Sequence, residues 1–357
     1  MSGTSADAID AALVSVRDNT TQLESAVTCH YPDFVRAQIL AVSANPHGTL
    51  ADLCQLEQHI SAAFAKAALA LLDGSNVAKS DIQAIGSHGQ TIIHQPTSTP
   101  AFTLQLSDTS LIAHLTGIDT IADFRRADLA AGGQGAPLVP AFHASVFGIE
   151  PTRVVLNLGG IANVTILAKA LIEGFDTGPA NTLLDAWCRT KTARRYDESG
   201  DWARTGTVVP ELLEKLLQDR YFSLSPPKST GPDYFSLDWL SSRGGDLEQY
   251  RDEDVQATLT ELTALSIAAA LGPACVPGTP ILACGGGVRN TFLLERIARH
   301  TQGTVTLTSE YGVDCDFCEA MAFGWLAYRY KIAMPGNVPA VTGASCEKVL
   351  GALYPAS

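Results

Sequence analysis

The stretch Arg153-Val154-Val155-Leu156-Asn157-Leu158-Gly159-Gly160-Ile161-Ala162-Asn163-Val164-Thr165-Ile166-Leu167 decides the fold. The apolar run 154–158 predicts a buried strand. Gly159 and Gly160 permit a tight turn, and 164–167 predicts the returning strand. A third strand is expected over 172–175, just before Gly174-Phe175-Asp176-Thr177-Gly178-Pro179 breaks it. Helices are expected over 182–191 and 209–220, with a proline-rich loop at 224–232. Further on, a helix at 257–270 and a strand at 281–284 lead into Gly285-Gly286-Gly287 and a helix over 291–300. A last helix is expected over 319–330.

Towards the N-terminus the pattern is similar. Strands are expected near 8–16 and 26–30, a long Ala- and Leu-rich helix over 50–72, and short strands at 82–86, 103–106 and 121–123. Ser107 and Asp108 are placed to cap a helix after the 103–106 strand. Residues 130–140, Ala-Ala-Gly-Gly-Gln-Gly-Ala-Pro-Leu-Val-Pro, disfavour helix and suit a crossover or substrate loop. Hairpins with inserted helices recur in style after about residue 150, without a sequence repeat. That order predicts two α/β domains facing a cleft. The expected division is 1–130, then 131–340, then a tail 341–357 packing near the first domain. No turn reads Gly-x-Gly-x-x-Gly after the first strand or Gly-x-x-x-x-Gly-Lys-Ser/Thr, which weighs against Rossmann dehydrogenases and P-loop enzymes.

The 357 residues are 46% apolar, enough for two cores, and carry a formal net charge of −13. That charge disfavours a general nucleic-acid binder but permits a local phosphate site built from amides and a metal ion. No secretory leader is evident, and the apolar stretch 62–72 is too short to span a membrane. Eight cysteines diluted through the chain suit a reducing, cytoplasmic setting. Cys315-x-x-Cys318 is the one close pair, with no second pair to complete a metal site.

The glycine turns carry the chemistry. Gly159 and Gly160 let a backbone approach phosphate without a Cβ clash, while Asn157 and Asn163 flank the turn or only hydrogen-bond it. Gly285, Gly286 and Gly287 could let a flat base lie on the backbone, with Asn290 anchoring that turn or capping the next helix. Arg289 could neutralise phosphate or remain in water. Asp176 emerges from a strand end, as a base should, or it forms an Asx-turn or caps the helix near 182. Gly3, Thr4 and Ser5 offer an N-terminal phosphate-facing loop, with Asp7 or Asp10 near a hydrated Mg²⁺. His88 and Gln90, in Ser87-His88-Gly89-Gln90-Thr91, suit sugar binding or loop fixing better than metal. Arg125 could pair with a substrate carboxylate or with Asp123 or Asp128.

Taken together and in order, these segments resemble the anhydro-N-acetylmuramic acid kinase family along nearly the whole chain. Ser-His-Gly-Gln-Thr and Gly-Gln-Gly-Ala-Pro-Leu-Val-Pro carry the resemblance most specifically. It implies two ribonuclease-H-like α/β domains flanking an ATP cleft, of the sugar kinase, Hsp70 and actin type. It implies ATP-dependent, water-coupled opening of 1,6-anhydro-N-acetylmuramate to N-acetylmuramate 6-phosphate in cell-wall sugar recycling. By that resemblance Gly3–Ser5 and Asn157–Asn163 approach phosphates, with Gly178 nearby. Residues 284–290 hold adenosine, Asp176 accepts the water proton, and Glu319 contacts the sugar or caps its helix. A homodimer is also suggested.

The chain departs from the family pattern. Ala6 and Ala8 replace Leu and Gly, Ala180 stands where the family has Gly, and Pro232 removes an Arg. If position 180 needed a positive φ, its methyl would cost about 1 kcal/mol. The family has strand residues ahead of the position of Met1, so a central strand is expected to be short, with unpaired edges. These departures keep two alternatives open: a nucleotide-binding regulatory homologue with reduced or lost kinase activity, and a kinase for a different sugar.

Overall fold

The computed structural model describes residues 1–3, 6–17, 20–45, 49–169, 171–231 and 233–357. Thr4 and Ser5 of the expected phosphate loop, and Pro232, lie outside the described residues. The chain folds as two compact α/β units, residues 1–146 with 317–357 and residues 147–316. The expected boundaries at 130 and 340 are therefore drawn elsewhere by the packing. Residues 131–146 and the long helix Cys318–Lys331 pack with the first unit.

The second unit is built on one sheet of five strands. Their order is Thr304–Leu307, Pro280–Cys284, Arg153–Leu158, Ile161–Ala168 and Leu171–Pro179. The first three run parallel and the last three form an antiparallel meander. Val154, Leu156 and Leu158 are fully buried at its centre, each worth about 1.5–3 kcal/mol of burial. The helix Asp252–Leu271 explains its nearly all-round apolar sequence by lying in this core. Its segment Asp252–Ala274 is long and apolar enough to cross a membrane, but burial in the core satisfies the same composition.

Between Ile161–Ala168 and Leu171–Pro179 the register shifts. Asn163 faces Asp176, Ala162 faces Gly178, and Thr177 is the extra residue of a β-bulge. A bulge re-aims the side chains beside it. Here it adjoins Asp176, which is half-buried between buried Phe175 and buried Thr177.

The first unit has shorter sheets. Ile9–Arg17 pairs with Thr20–Cys29, Gln90–Gln95 with Phe102–Leu106, and Thr120–Ala122 lies between Ala352–Tyr354 and Ile85–Gly86 and pairs with both. Residues 341–357 thus belong to this unit, and Ala352–Tyr354 is an edge strand. The helix Cys318–Lys331 lies close to two of these sheets. A Cβ on Gly324 would meet Val14 at 2.7 Å, and one on Gly86 would meet the Phe323 carbonyl oxygen at 2.3 Å. Between the free edge of Ile9–Arg17 and the strand Ile85–Gly86 runs a cavity of about 570 Å³, also lined by Ala320, Gly324 and Ala327. At its end Met1 and Asp10 exchange two backbone hydrogen bonds of 2.8 Å. Among the described residues Ile9–Arg17 has one paired neighbour, and at nine residues it is not the short strand expected from the sequence.

Amides on that edge lack the second neighbour that protects Arg153–Leu158. Hydrogen-exchange mass spectrometry is expected to show faster exchange across 9–17 than across 154–158. Equal protection of the two strands would contradict the open edge.

Candidate active site

Asp176 of the second unit is held through both its carboxylate and its backbone. Its Oδ2 accepts from the Ser229 hydroxyl and from the Thr230 amide, both at 2.9 Å. Its own amide donates to the Lys228 carbonyl at 3.1 Å, and the Tyr221 hydroxyl donates to its carbonyl at 2.9 Å. The loop after residue 220 therefore grips this residue at backbone and side chain alike. Burial pushes the Asp176 pKa up, while the Thr230 amide, the Ser229 hydroxyl and the Lys228 ammonium oppose the rise. Asp176 does not cap the helix Asn181–Thr192, whose N-terminal residue is Ala180 with no side-chain cap.

Ala180 is fully buried with φ −123, so the left-handed penalty considered from the sequence does not arise. Gly178 is packed rather than open: a Cβ there would meet Phe222 at 2.8 Å and Ser266 at 3.2 Å.

The Gly159–Gly160 turn is tied to the same helix start. The Gly160 carbonyl accepts from the Ala180 and Thr182 amides, and the Gly159 carbonyl accepts from the Asn181 amide and side chain. With these carbonyls engaged, the polar groups the turn can offer an anion are N–H donors. Asn157 lies in the adjoining strand with its side chain close to Gly285.

Gly285 has φ +81, and a Cβ on it would lie 2.3 Å from Asn157 Oδ1. Gly287 is closed by Leu158 and Asn181, whereas Gly286 is exposed, with only Arg289 at 4.0 Å from a would-be Cβ. Of the three, Gly286 offers an open backbone face. Asn290 caps the helix Thr291–Thr301 by accepting from the Leu293 amide at 2.9 Å. Arg289 makes a two-pronged pair with Asp316 at 3.0 and 2.5 Å.

The first unit holds a second group of functional side chains. Arg125 donates through Nε and Nη2 to His88 Nε2, at 3.1 and 2.8 Å, and through Nη1 to the Gly135 carbonyl at 2.8 Å. Accepting from a guanidinium requires a neutral His88 with its proton on Nδ1. Burial, with Arg125 and the N-terminal ammonium adding to it, holds the His88 pKa well below its usual value. Burial also lowers the Arg125 pKa, to about 10, against the attraction of Glu319. Arg125 remains a cation at neutral pH and is aimed by a histidine. It pairs with neither Asp123 nor Asp128, the partners weighed from the sequence.

Glu319 sits in the first turn of Cys318–Lys331. Burial raises its pKa, and the Cys318 thiol and Asp10 push the same way against Arg125 and the N-terminal ammonium. Gln90 is fully buried, donates to the Gly3 carbonyl and accepts from Tyr31, both at 3.1 Å, which is the loop-fixing alternative. Two residues near these groups hold left-handed backbone without being glycine, Ala6 at φ 49 and Asp123 at φ 60. Each costs roughly 1–2 kcal/mol, a strain that collects at functional sites.

The two expected metal carboxylates differ. Asp7 is exposed and paired with Arg36 at 2.6 Å. Asp10 accepts from the Thr28 hydroxyl at 2.7 Å. Among the described residues no three His, Cys, Asp or Glu side chains gather as a metal site. Nor do the cysteines form disulfides.

Sequence reasoning did not single out Ser229, Thr230 and Tyr221, and it weighed Asp128 only as a partner of Arg125. Asp128 is fully buried and accepts from the Gly135 amide, Asn337 and Thr342, each at 2.7 Å. It ties the Gly132–Gly135 loop to the C-terminal residues. A charged residue just before a glycine-rich loop was the available signal.

A family profile described as anhydro-N-acetylmuramic acid kinase matches residues 1–356. Relatives of that name from Xanthomonas axonopodis pv. citri and Saccharophagus degradans are each 48% identical. Their alignments cover 100% and 99% of this chain and 97% of each relative. Among solved structures, the (R)-2-hydroxyglutaryl-CoA dehydratase component A of Acidaminococcus fermentans is similar at 12% identity. The match covers 91% of this chain and 99% of that one, with a TM-score of 0.45.

The glycine contrast is testable. Gly285→Ala meets both a left-handed backbone and the Asn157 side chain and is expected to lower stability by about 1–3 kcal/mol. Gly286→Ala is expected to leave the thermal midpoint unchanged while weakening nucleotide binding. Thermal melts with calorimetry against an ATP analogue check both; equal melting of the two variants would contradict the packing described.

Proposed function

The chain belongs to the anhydro-N-acetylmuramic acid kinase family, and from that premise we propose how its residues divide the work. The protein is an ATP-dependent sugar kinase of cell-wall recycling. Water adds to carbon 1 of 1,6-anhydro-N-acetylmuramate, the carbon 1–oxygen 6 bond breaks, and oxygen 6 takes the γ-phosphoryl group. N-acetylmuramate 6-phosphate and ADP are the products.

Asp176 is assigned the water proton. The observation that carries this reading is its grip. Ser229 and Thr230 hold Oδ2 from one side, so the carboxylate is oriented before substrate arrives. Tyr221 and Lys228 fix the backbone that bears it. A base pre-set in this way loses no orientation in the transition state. The Gly159–Gly160 amides are assigned to phosphate, and the open face at Gly286 to adenine. Gly3 belongs to the same assignment, with Thr4 and Ser5. Arg125, aimed by His88, is assigned the substrate carboxylate, with Glu319 beside it for sugar hydroxyls.

Bound ATP supplies the phosphoryl group, and a Mg²⁺ with it supplies neutralising charge. Magnesium is commonly held by one or two carboxylates and by phosphate oxygens, so the lack of a three-ligand cluster is no misfit. Asp10 is the better placed of the two expected ligands, because Asp7 already has Arg36 as its cation. The eight cysteines, none disulfide-bonded, suit a reducing cytoplasm. A homodimer and the exclusion of nucleic acid remain parts of this reading, the latter supported by the net charge of −13.

Product analysis in heavy-oxygen water tests the reaction. Label is expected at carbon 1 of a 6-phosphorylated, ring-opened sugar, with ATP consumed in equal amount. An unlabelled product, or none at high enzyme concentration, would overturn it. Asp176→Asn is expected to keep nucleotide affinity and lose on the order of 10²–10⁴-fold in kcat. Because the base works ionised and burial raises its pKa, turnover is expected to fall as pH drops through a value above that of an ordinary aspartate. A kcat flat across that acidic range would remove Asp176 from the role.

A further inference from the structure

We propose that Asp219 is a positioning residue for the Asp176 base, acting through the loop 221–234 that it closes at both ends. The inference rests on the reading of Asp176 given above. Asp219 follows the helix Pro210–Leu217, and its side chain has no exposed surface. A buried carboxylate is costly unless every lone pair is answered. Here Oδ1 accepts from the Tyr221 amide and the Tyr234 hydroxyl, both at 2.8 Å. Oδ2 accepts from the Trp239 indole N–H and from Arg243, both at 2.9 Å.

The placement of these donors is what points beyond ordinary stability. Tyr221 begins the loop, Tyr234 ends it, and Trp239 and Arg243 stand on the helix Leu237–Gly244 that follows. One carboxylate therefore pins both ends of the loop to one rigid helix. Between the pins the loop presents the Lys228 carbonyl, the Ser229 hydroxyl and the Thr230 amide to Asp176. Tyr221 also reaches Asp176 directly, its hydroxyl donating to the Asp176 carbonyl. Its ring is wedged against Phe235 at 5.5 Å, edge to face. Pro226 and Pro227 stiffen the span between the pins.

A buried ion pair kept only for stability needs no such bracket, and such pairs are often replaceable by apolar residues. Asp219→Asn keeps the shape but turns one acceptor into a donor, so it opposes two of the four donors. The loop then slackens, and Asp176 loses the Ser229 and Thr230 bonds that favour its ionised form.

The test compares Asp219→Asn, Tyr234→Phe and Asp176→Asn with the unaltered protein, in kcat, KM and the pH dependence of kcat. Asp219→Asn is expected to lower kcat by roughly tenfold or more with KM for ATP little changed. The acidic limb of its pH profile is expected to move to higher pH. Tyr234→Phe, which removes a single bond, is expected to shift the limb the same way by less. It decides the matter alone should Asp219→Asn fail to fold. Lower melting temperatures with kcat and the acidic limb unmoved would reduce Asp219 to a structural role and overturn the proposal. Wild-type turnover by Asp176→Asn would instead overturn the base reading itself, and with it the proposal.

Discussion

The grip of the 221–230 loop on Asp176 is the interaction around which this edge of the second unit is organised. An edge strand would otherwise leave its outer groups to solvent. Here the loop covers that edge at Asp176, taking its amide with the Lys228 carbonyl and its carboxylate with Ser229 and Thr230. The bulge at Thr177 lies directly beside Asp176 in the same strand. Strand and loop together fix one oxygen of the carboxylate and hold its backbone. Burial raises its basicity as a by-product of the same packing.

The first unit solves a different problem with similar means. The Arg125 guanidinium is taken out of water and needs acceptors for its N–H groups. A neutral His88 accepts from two of them, and the Gly135 carbonyl takes a third. The glycine-rich loop that supplies this carbonyl is in turn fastened by Asp128. In both units a buried aspartate thus steadies a loop that touches another charged side chain, Asp219 the loop on Asp176 and Asp128 the loop on Arg125.

Much of this was legible in the sequence, for physical reasons. The strand Arg153–Leu158 announces itself by its apolar run, and the helix Leu50–Asp73 by its Ala and Leu content, to which the structure adds a Thr49–Asp52 capping box. Asp108 caps the helix it was expected to cap. Other elements carried no such signal. Strand Gln90–Gln95 is rich in polar residues and is stabilised by its partner Phe102–Leu106 rather than by its own pattern. Helix Asp33–Ala44 starts after Pro32 with no side-chain cap, and helix Val139–Phe147 opens inside a proline- and glycine-rich stretch. The strand expected over 82–86 shrinks to Ile85–Gly86 because Lys79–Asp81 takes a helical turn first. At the site, Asp176 and Arg125 stood out as charges next to strand ends and glycines. His88, which holds Arg125, stood out as well, but the holders of Asp176 did not, since Ser229 and Thr230 lie more than 50 residues from it. Only the folded chain brings them to it.

A structure of the protein with a non-hydrolysable ATP analogue and 1,6-anhydro-N-acetylmuramate tests the central claim most directly. Asp176 Oδ2 is expected to keep Ser229 and Thr230, while Oδ1 holds a water at about 2.6–3.2 Å that faces carbon 1 of the sugar. A sugar whose carbon 1 lies remote from Asp176, with no water between them, would contradict the account.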